Sequence, residues 1–241
     1  NGAAHVRIES ESESAQSGTE HFILHLPAGL VDVEERRVPV TLTVPGIHNA
    51  RNATAALLAA VMLGVDVERA AAAATSFLGA ARRFQIRGSV NQVTVIDDYA
   101  HHPTEIAALL DAARRRYPEA GIHVIFQPHL FSRTMFFARE FAEALAKADD
   151  VIVTGIFPAR EKQEDFPTVS PDTIVNEAVK LEHEPADDWI RGVDDMRTAA
   201  QMMVMRAHHG DVIFTVGAGD ITQMDPVILH ALEAHRWDCA R

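Results

Sequence analysis

From about Gly88 to the end of the chain, short apolar runs alternate with stretches of helical period. That alternation narrows the fold more than any other feature. The apolar runs are Val90 to Ile96, Ile122 to Phe126, Val151 to Ile156 and Asp211 to Val216. The helix-like segments are Pro103 to Tyr117, Thr134 to Ala148, Pro171 to Leu181, Asp194 to His208 and Asp225 to His235, with a short extra strand expected near Trp189. Strands of continuous rather than alternating apolarity are buried on both faces. Joined through helices, they predict a mostly parallel sheet with helices on both sides, an α/β fold of Rossmann-like kind. Hydrophobic residues make up 47% of the 241, enough to bury cores of this size.

Residues 1–87 read as a separate α+β part. His5-Val6-Arg7-Ile8-Glu9 alternates as a half-buried strand should, and His21 to Leu26 and Arg36 to Val44 add two more strands in a meander. A polar loop is expected over Glu11 to Thr19. After Pro45-Gly46 an alanine-rich helix runs to about Leu63, and Asp66 is placed to cap a second helix over Val67 to Phe77. The boundary with the α/β part, residues 88–241, is expected near Arg87-Gly88.

The chemistry gathers where strands end. Ligands of open α/β sheets bind outside the carboxyl ends of the strands, and here four such ends carry polar clusters. The densest is Asp97-Asp98-Tyr99-Ala100-His101-His102-Pro103-Thr104-Glu105. Two adjacent carboxylates need a cation, arginines or a hydroxyl-rich ligand to receive them. After Phe126, His129 and Arg133 frame the start of a helix, where backbone N–H groups favour anions and a guanidinium can grip a carboxylate or phosphate with two bonds. Phe157-Pro158-Ala159-Arg160-Glu161-Lys162 follows the third strand. Gly217-Ala218-Gly219-Asp220 follows the fourth, as the start of a dinucleotide fingerprint with Thr222 in place of its last glycine, or as a tight turn. In the first part, His48 and Asn52 share one helical face and Asn49 is a candidate cap; amide and imidazole groups can pair with the edges of a nucleotide base.

Other classes are disfavoured. A net charge of −12 argues against nucleic acid and anionic membranes as partners. No apolar run approaches the roughly 18 residues of a membrane span. The one cysteine, Cys239, allows no internal disulfide and fits a cytoplasmic setting. Thirteen histidines show no His-Glu-x-x-His or similar spacing, so no protein-only metal centre is expected; a metal bridged by a ligand's phosphates stays open.

Together, His48-Asn49-x-x-Asn52-Ala53, Arg82-Arg83-Phe84, Asp97 to Glu105, Phe126 to Thr134 and Gly217 to Asp220 resemble, in order, the motifs of the Mur ligase family. The likeness runs from about Val6 to Trp237. Members join amino acids to UDP-N-acetylmuramic acid in peptidoglycan synthesis, and these motifs are most similar to the branch that adds L-alanine first. The resemblance implies ATP and Mg2+, an acyl phosphate on UDP-N-acetylmuramate, and attack by the amine of L-alanine. It implies adenine contacts at His48, Asn49 and Asn52, and ribose or phosphate contacts at Arg83 and Asp98. Tyr99, His101, His129 and Arg133 would position L-alanine, with Arg133 on its carboxylate and His101 accepting the amine proton. Some members carry a second arginine where Leu130 stands, which puts more weight on His129 and Arg133. Residues 1–87 resemble the tail of the family's central ATP-binding domain and residues 88–241 its C-terminal domain. The chain starts at Asn1 and has no Gly-Lys-Ser/Thr phosphate loop. A UDP-binding domain and the main magnesium ligands are expected elsewhere, and the chain alone is expected to be inactive. The alternatives are the sister ligase that attaches murein tripeptide and a stand-alone nucleotide-binding module.

Overall fold

In a computed structural model of the chain, the described residues are 5–10, 19–30, 35–44, 46–77, 79–181, 183 and 188–235. Cys239 and nearly all of the polar loop expected from Glu11 lie outside them. The chain forms two compact units, residues 1–80 and 81–241.

In the first unit β1 (Arg7–Ser10), β2 (Glu20–Leu26) and β3 (Arg36–Leu42) form an antiparallel meander in the order β1-β2-β3. The alternation of β2 puts Phe22, Leu24 and Leu26 on one face, where they pack with Val38, Val40 and Leu42 against α1 (Ile47–Met62) and α2 (Val67–Ala74). Pro39 is tolerated because β3 is an edge strand. As expected, Asp66 caps α2, its carboxylate accepting from the N–H groups of Glu68 and Arg69 at 3.1 and 3.0 Å. Asn49 is not the cap of α1: the helix begins at Ile47 after Gly46, whose φ of 107° only glycine adopts readily. The Gly46 N–H is taken instead by the buried Glu20 carboxylate at 2.7 Å.

The second unit is α/β. Its six-stranded sheet has the order β4-β5-β9-β6-β7-β8, with β4 (Gln85–Val90), β5 (Val93–Asp98), β6 (Ile122–Phe126), β7 (Asp150–Thr154), β8 (Ile190–Val193) and β9 (Val212–Val216). All neighbouring pairs are parallel except β4–β5. Residues alternate between two cores. Ile96, Val124, Val151 and Phe214 face α3 (Pro103–Arg116), α5 (Ala138–Leu145) and α6 (Asp172–Ala178). Val95, Ile125, Ile152 and Ile213 face α7 (Met196–Arg206) and α8 (Asp225–Ala234).

Two further expectations needed correction. The strand expected from Val90 is a hairpin, which turns at Asn91 and Gln92 with φ of 50° and 65° and pairs Val90 with Val93. The helix expected over Thr134 to Ala148 is two, α4 (Phe131–Phe136) and α5, parted at Phe137. The two compact units meet between Ala80 and Ala81, and β4, which pairs with β5, lies in the second. Among the described residues no helix is long and apolar enough to cross a membrane.

Candidate functional site

Parallel register brings Asp98, Val216 and Phe126 level across three adjacent strands, so the segments that follow emerge side by side. The sheet reverses its winding here, since β9 returns between β5 and β6. That is the position at which an α/β sheet opens a crevice.

The adjacent aspartates at the end of β5 are received separately. Asp97 is fully buried and pairs with Arg82, Nε to Oδ2 at 3.0 Å, and accepts the Thr222 hydroxyl at 2.9 Å. The Arg82 guanidinium also donates to the carbonyls of Gly219 at 3.1 Å and Gly217 at 2.6 Å, and lies 5.0 Å from the centre of the Tyr99 ring. Arg82 therefore ties two strand ends together. Arg83, the next residue, is exposed and lies 5.7 Å from the same ring. Asp98 is 5% exposed, and its two oxygens accept the N–H groups of Phe84 at 2.7 Å and Ala100 at 2.8 Å. Burial pushes its carboxyl up to about 6, against the downward pull of those amides and of Arg83 and with a further push from Asp97. These two bonds use two of the four lone-pair positions of the carboxylate.

Beyond Asp98 the chain turns into α3 through a capping box, in which Glu105 accepts the N–H groups of His101 at 2.9 Å and His102 at 3.2 Å. The His101 Nδ1 lies 3.0 Å from the Tyr99 carbonyl and 3.4 Å from Glu105. Both neighbours are acceptors, so Nδ1 carries a proton, and in the neutral ring the lone pair is on Nε2. The His101 ring is 5.5 Å from that of Tyr99 and 6.2 Å from that of His129.

His129 and Arg133 stand on the segment after β6. Two polar atoms here are buried without a hydrogen-bond partner, His129 Nδ1 and Arg133 Nη1. Such atoms cost free energy unless a ligand or water meets them. Burial holds the His129 imidazole below its usual range, and the Arg133, His101 and Arg160 charges press the same way, so the ring is neutral near pH 7. His48, Asn49 and Asn52 lie in the first unit on the first two turns of α1, the first two half-buried and Asn52 exposed.

The glycines of the Gly217 turn serve close packing. A Cβ on Gly217, where φ is +147°, would stand 2.6 Å from the Gln127 carbonyl oxygen, and one on Gly219 would stand 2.3 Å from Gln127 Oε1. Gln127 pins the turn, donating to Asp220 at 2.7 Å and accepting from the Ile221 N–H at 3.1 Å. Gln127 was not singled out from the sequence, although the two glycines facing it were. Among the described residues no group of three or more His, Cys, Asp or Glu is placed to hold a metal ion.

The family model described as "Mur ligase, glutamate ligase domain" matches residues 82–219. The chain is 82% identical over 239 residues to the UDP-N-acetylmuramate–L-alanine ligase of Bifidobacterium adolescentis, a match covering 99% of this chain and 46% of the relative. The chain thus spans about half the length of the curated relatives it matches. Among solved structures it is similar to the UDP-N-acetylmuramate-alanine ligase MurC of Thermotoga maritima (27% identity, TM-score 0.72, 94% of this chain and 46% of that one). It is also similar to a murein peptide ligase of Psychrobacter arcticus (26% identity, TM-score 0.65, 95% and 45%).

Proposed function

Because the chain belongs to the Mur ligase family, we propose that it is the nucleotide- and amino-acid-contacting portion of a cytoplasmic enzyme that joins L-alanine to UDP-N-acetylmuramate at the expense of ATP. The observation that carries the amino-acid part is the pair of buried, unpartnered atoms His129 Nδ1 and Arg133 Nη1 beside His101. A free amino acid offers one carboxylate and one amine. Arg133 takes the carboxylate, and a guanidinium does so with directional bonds that a lysine cannot reproduce. Neutral His129 adds a polar contact without charge repulsion of the amine. The free Nε2 of His101 receives the proton that the amine sheds as its nitrogen attacks the activated carboxyl. Tyr99, held between Arg82, Arg83 and His101, forms the wall of this space.

ATP supplies the phosphoryl group that activates the carboxyl. On this reading exposed Arg83 meets its ribose or phosphates, and Asp98 offers its remaining lone pairs to the ribose hydroxyls. The first unit, read as the tail of the central ATP-binding domain, presents His48, Asn49 and Asn52 to adenine. Imidazole and carboxamide supply both donors and acceptors, which suits a base edge. No residue of this chain is assigned to magnesium.

The test uses the protein expressed from its complete reading frame, given UDP-N-acetylmuramate, magnesium-ATP and one of L-alanine, glycine, L-serine or murein tripeptide. Phosphate release and a ligated product with L-alanine are expected, with Arg133→Lys raising the KM for L-alanine on the order of tenfold or more. Consumption of the tripeptide alone would move the assignment to the sister ligase. No release with any acceptor would overturn it.

A further inference from the structure

His129 and Arg133 lie on either side of the residue from which α4 starts. Leu130, between them, has a φ of 72°, and α4 begins there without a side-chain cap. A leucine in that region is strained and persists only where its surroundings enforce it. The enforcement comes from the segment after β7. The Leu130 N–H donates to the Phe157 carbonyl at 2.9 Å and the Phe157 N–H to the Pro128 carbonyl at 2.8 Å, so Phe157 extends the sheet by one residue against His129. The Phe157 ring stacks on the His129 imidazole, centroids 5.6 Å apart at 18°. From its other neighbour, a Cβ on Gly219 would fall 2.7 Å from Phe157 Cγ, so glycine there is what lets the ring lie where it does.

Four residues on, Glu161 completes the enforcement. Its carboxylate accepts the Ser132 N–H at 2.9 Å and the Ser132 hydroxyl. These donors hold it ionised, below the usual carboxylate range, although burial opposes them. An acid occupied in this way supplies the cap that α4 lacks. Among the described residues it forms no ion pair with the Arg133 guanidinium, whose buried Nη1 has no hydrogen-bond partner.

We propose that Phe157 and Glu161 are positioning residues of the amino-acid site: Phe157 sets the plane of the His129 ring and Glu161 sets the turn from which Arg133 projects. The proposal rests on the reading of His129 and Arg133 as the amino-acid contacts, and the test separates the two. Phe157→Leu keeps an apolar side chain against Gly219 and removes the flat stacking surface; Phe157→Tyr restores that surface; Glu161→Gln keeps an acceptor for Ser132 and removes the charge. In the protein from the complete reading frame, Phe157→Leu and Glu161→Gln should raise the KM for L-alanine on the order of tenfold while the KM for ATP stays within about twofold. Phe157→Tyr should return the KM for L-alanine to the parent value. A merely structural role would shift both constants together.

A second readout needs no substrate. In the chain itself, the 15N resonances of the His129 imidazole should report one tautomer in the parent and in Phe157→Tyr, and exchange-broadened or averaged signals in Phe157→Leu. Unchanged resonances and an unchanged KM for L-alanine, in variants that melt like the parent, would overturn the proposal. A protein that ignores L-alanine while the His129 resonances respond would overturn the functional reading and leave the positioning roles standing.

Discussion

Replacing His123 by glutamine should make the second unit less stable by about 3 kcal/mol at pH 6 and remove most of its pH dependence between about 7 and 9.5. His123 sits at the amino end of β6, opposite the candidate site, with Nδ1 3.3 Å from Asp150 and Nε2 2.9 Å from Asp211. Burial alone would lower its pKa, but hydrogen bonds to the two carboxylates, and their charges, raise it to about 9 from 6.5. At about 1.4 kcal/mol for each tenfold change in proton affinity, the rise corresponds to roughly 3 kcal/mol. Because the folded value lies above the unfolded one, this stabilisation is complete below about pH 6.5 and is lost as pH climbs through 9. About 2 kcal/mol of it disappears between pH 7 and 9.5. Glutamine can still hydrogen bond but carries no charge. Neither carboxylate is orphaned, since Asp150 keeps Arg191 and Arg206, both at 2.9 Å, and Asp211 keeps the N–H groups of Gly121 and His208. Urea unfolding followed through buried Trp189, in parent and variant at several pH values, measures the difference directly. Parallel stability profiles for the two proteins would refute the reasoning, because they would mean that His123 is not charged in the folded state.

Two further predictions test adjacent assignments. Arg82→Ala should cost about 3–5 kcal/mol, because it strands the fully buried Asp97 charge, whereas Arg83→Ala, on an exposed side chain, should leave stability within about 0.5 kcal/mol and raise the KM for ATP; paired melts and kinetics distinguish them. Asp66→Ala should cost the first unit about 1 kcal/mol through loss of the α2 cap, read by urea denaturation, while Asp66→Asn should cost less.

The strand ends were legible because polar residues there interrupt strong apolar runs, and β6 was found at its observed bounds. The β4–β5 hairpin was not, because its turn uses Asn91-Gln92. Glycine at the second position is the usual mark of two consecutive positive φ values, and glutamine gives no such signal. The division of labour between Arg82 and Arg83 was equally hidden. The two side chains are the same, and a φ of 59° at Arg82, together with its bonds to Asp97, Gly217 and Gly219, sends one inward and leaves the other exposed. Phe157 and Glu161 were seen only as part of a strand-end cluster. Their contacts to His129 and Ser132 cross between segments, and no local pattern encodes them.

The placement of β9 has a consequence for how the protein is made. Among the described residues this strand, the last of the sheet, is the sole bridge between the β4–β5 pair and the β6–β7–β8 group. Until Val212–Val216 has left the ribosome, β5 and β6 each lack the neighbour that sets them in register, and the crevice between them does not exist. Synthesis at about 5–20 residues per second leaves the earlier strands waiting several seconds with apolar edges open. The second unit is therefore expected to complete its sheet only after β9 emerges, and nascent chains stalled before β9 are expected to need chaperones.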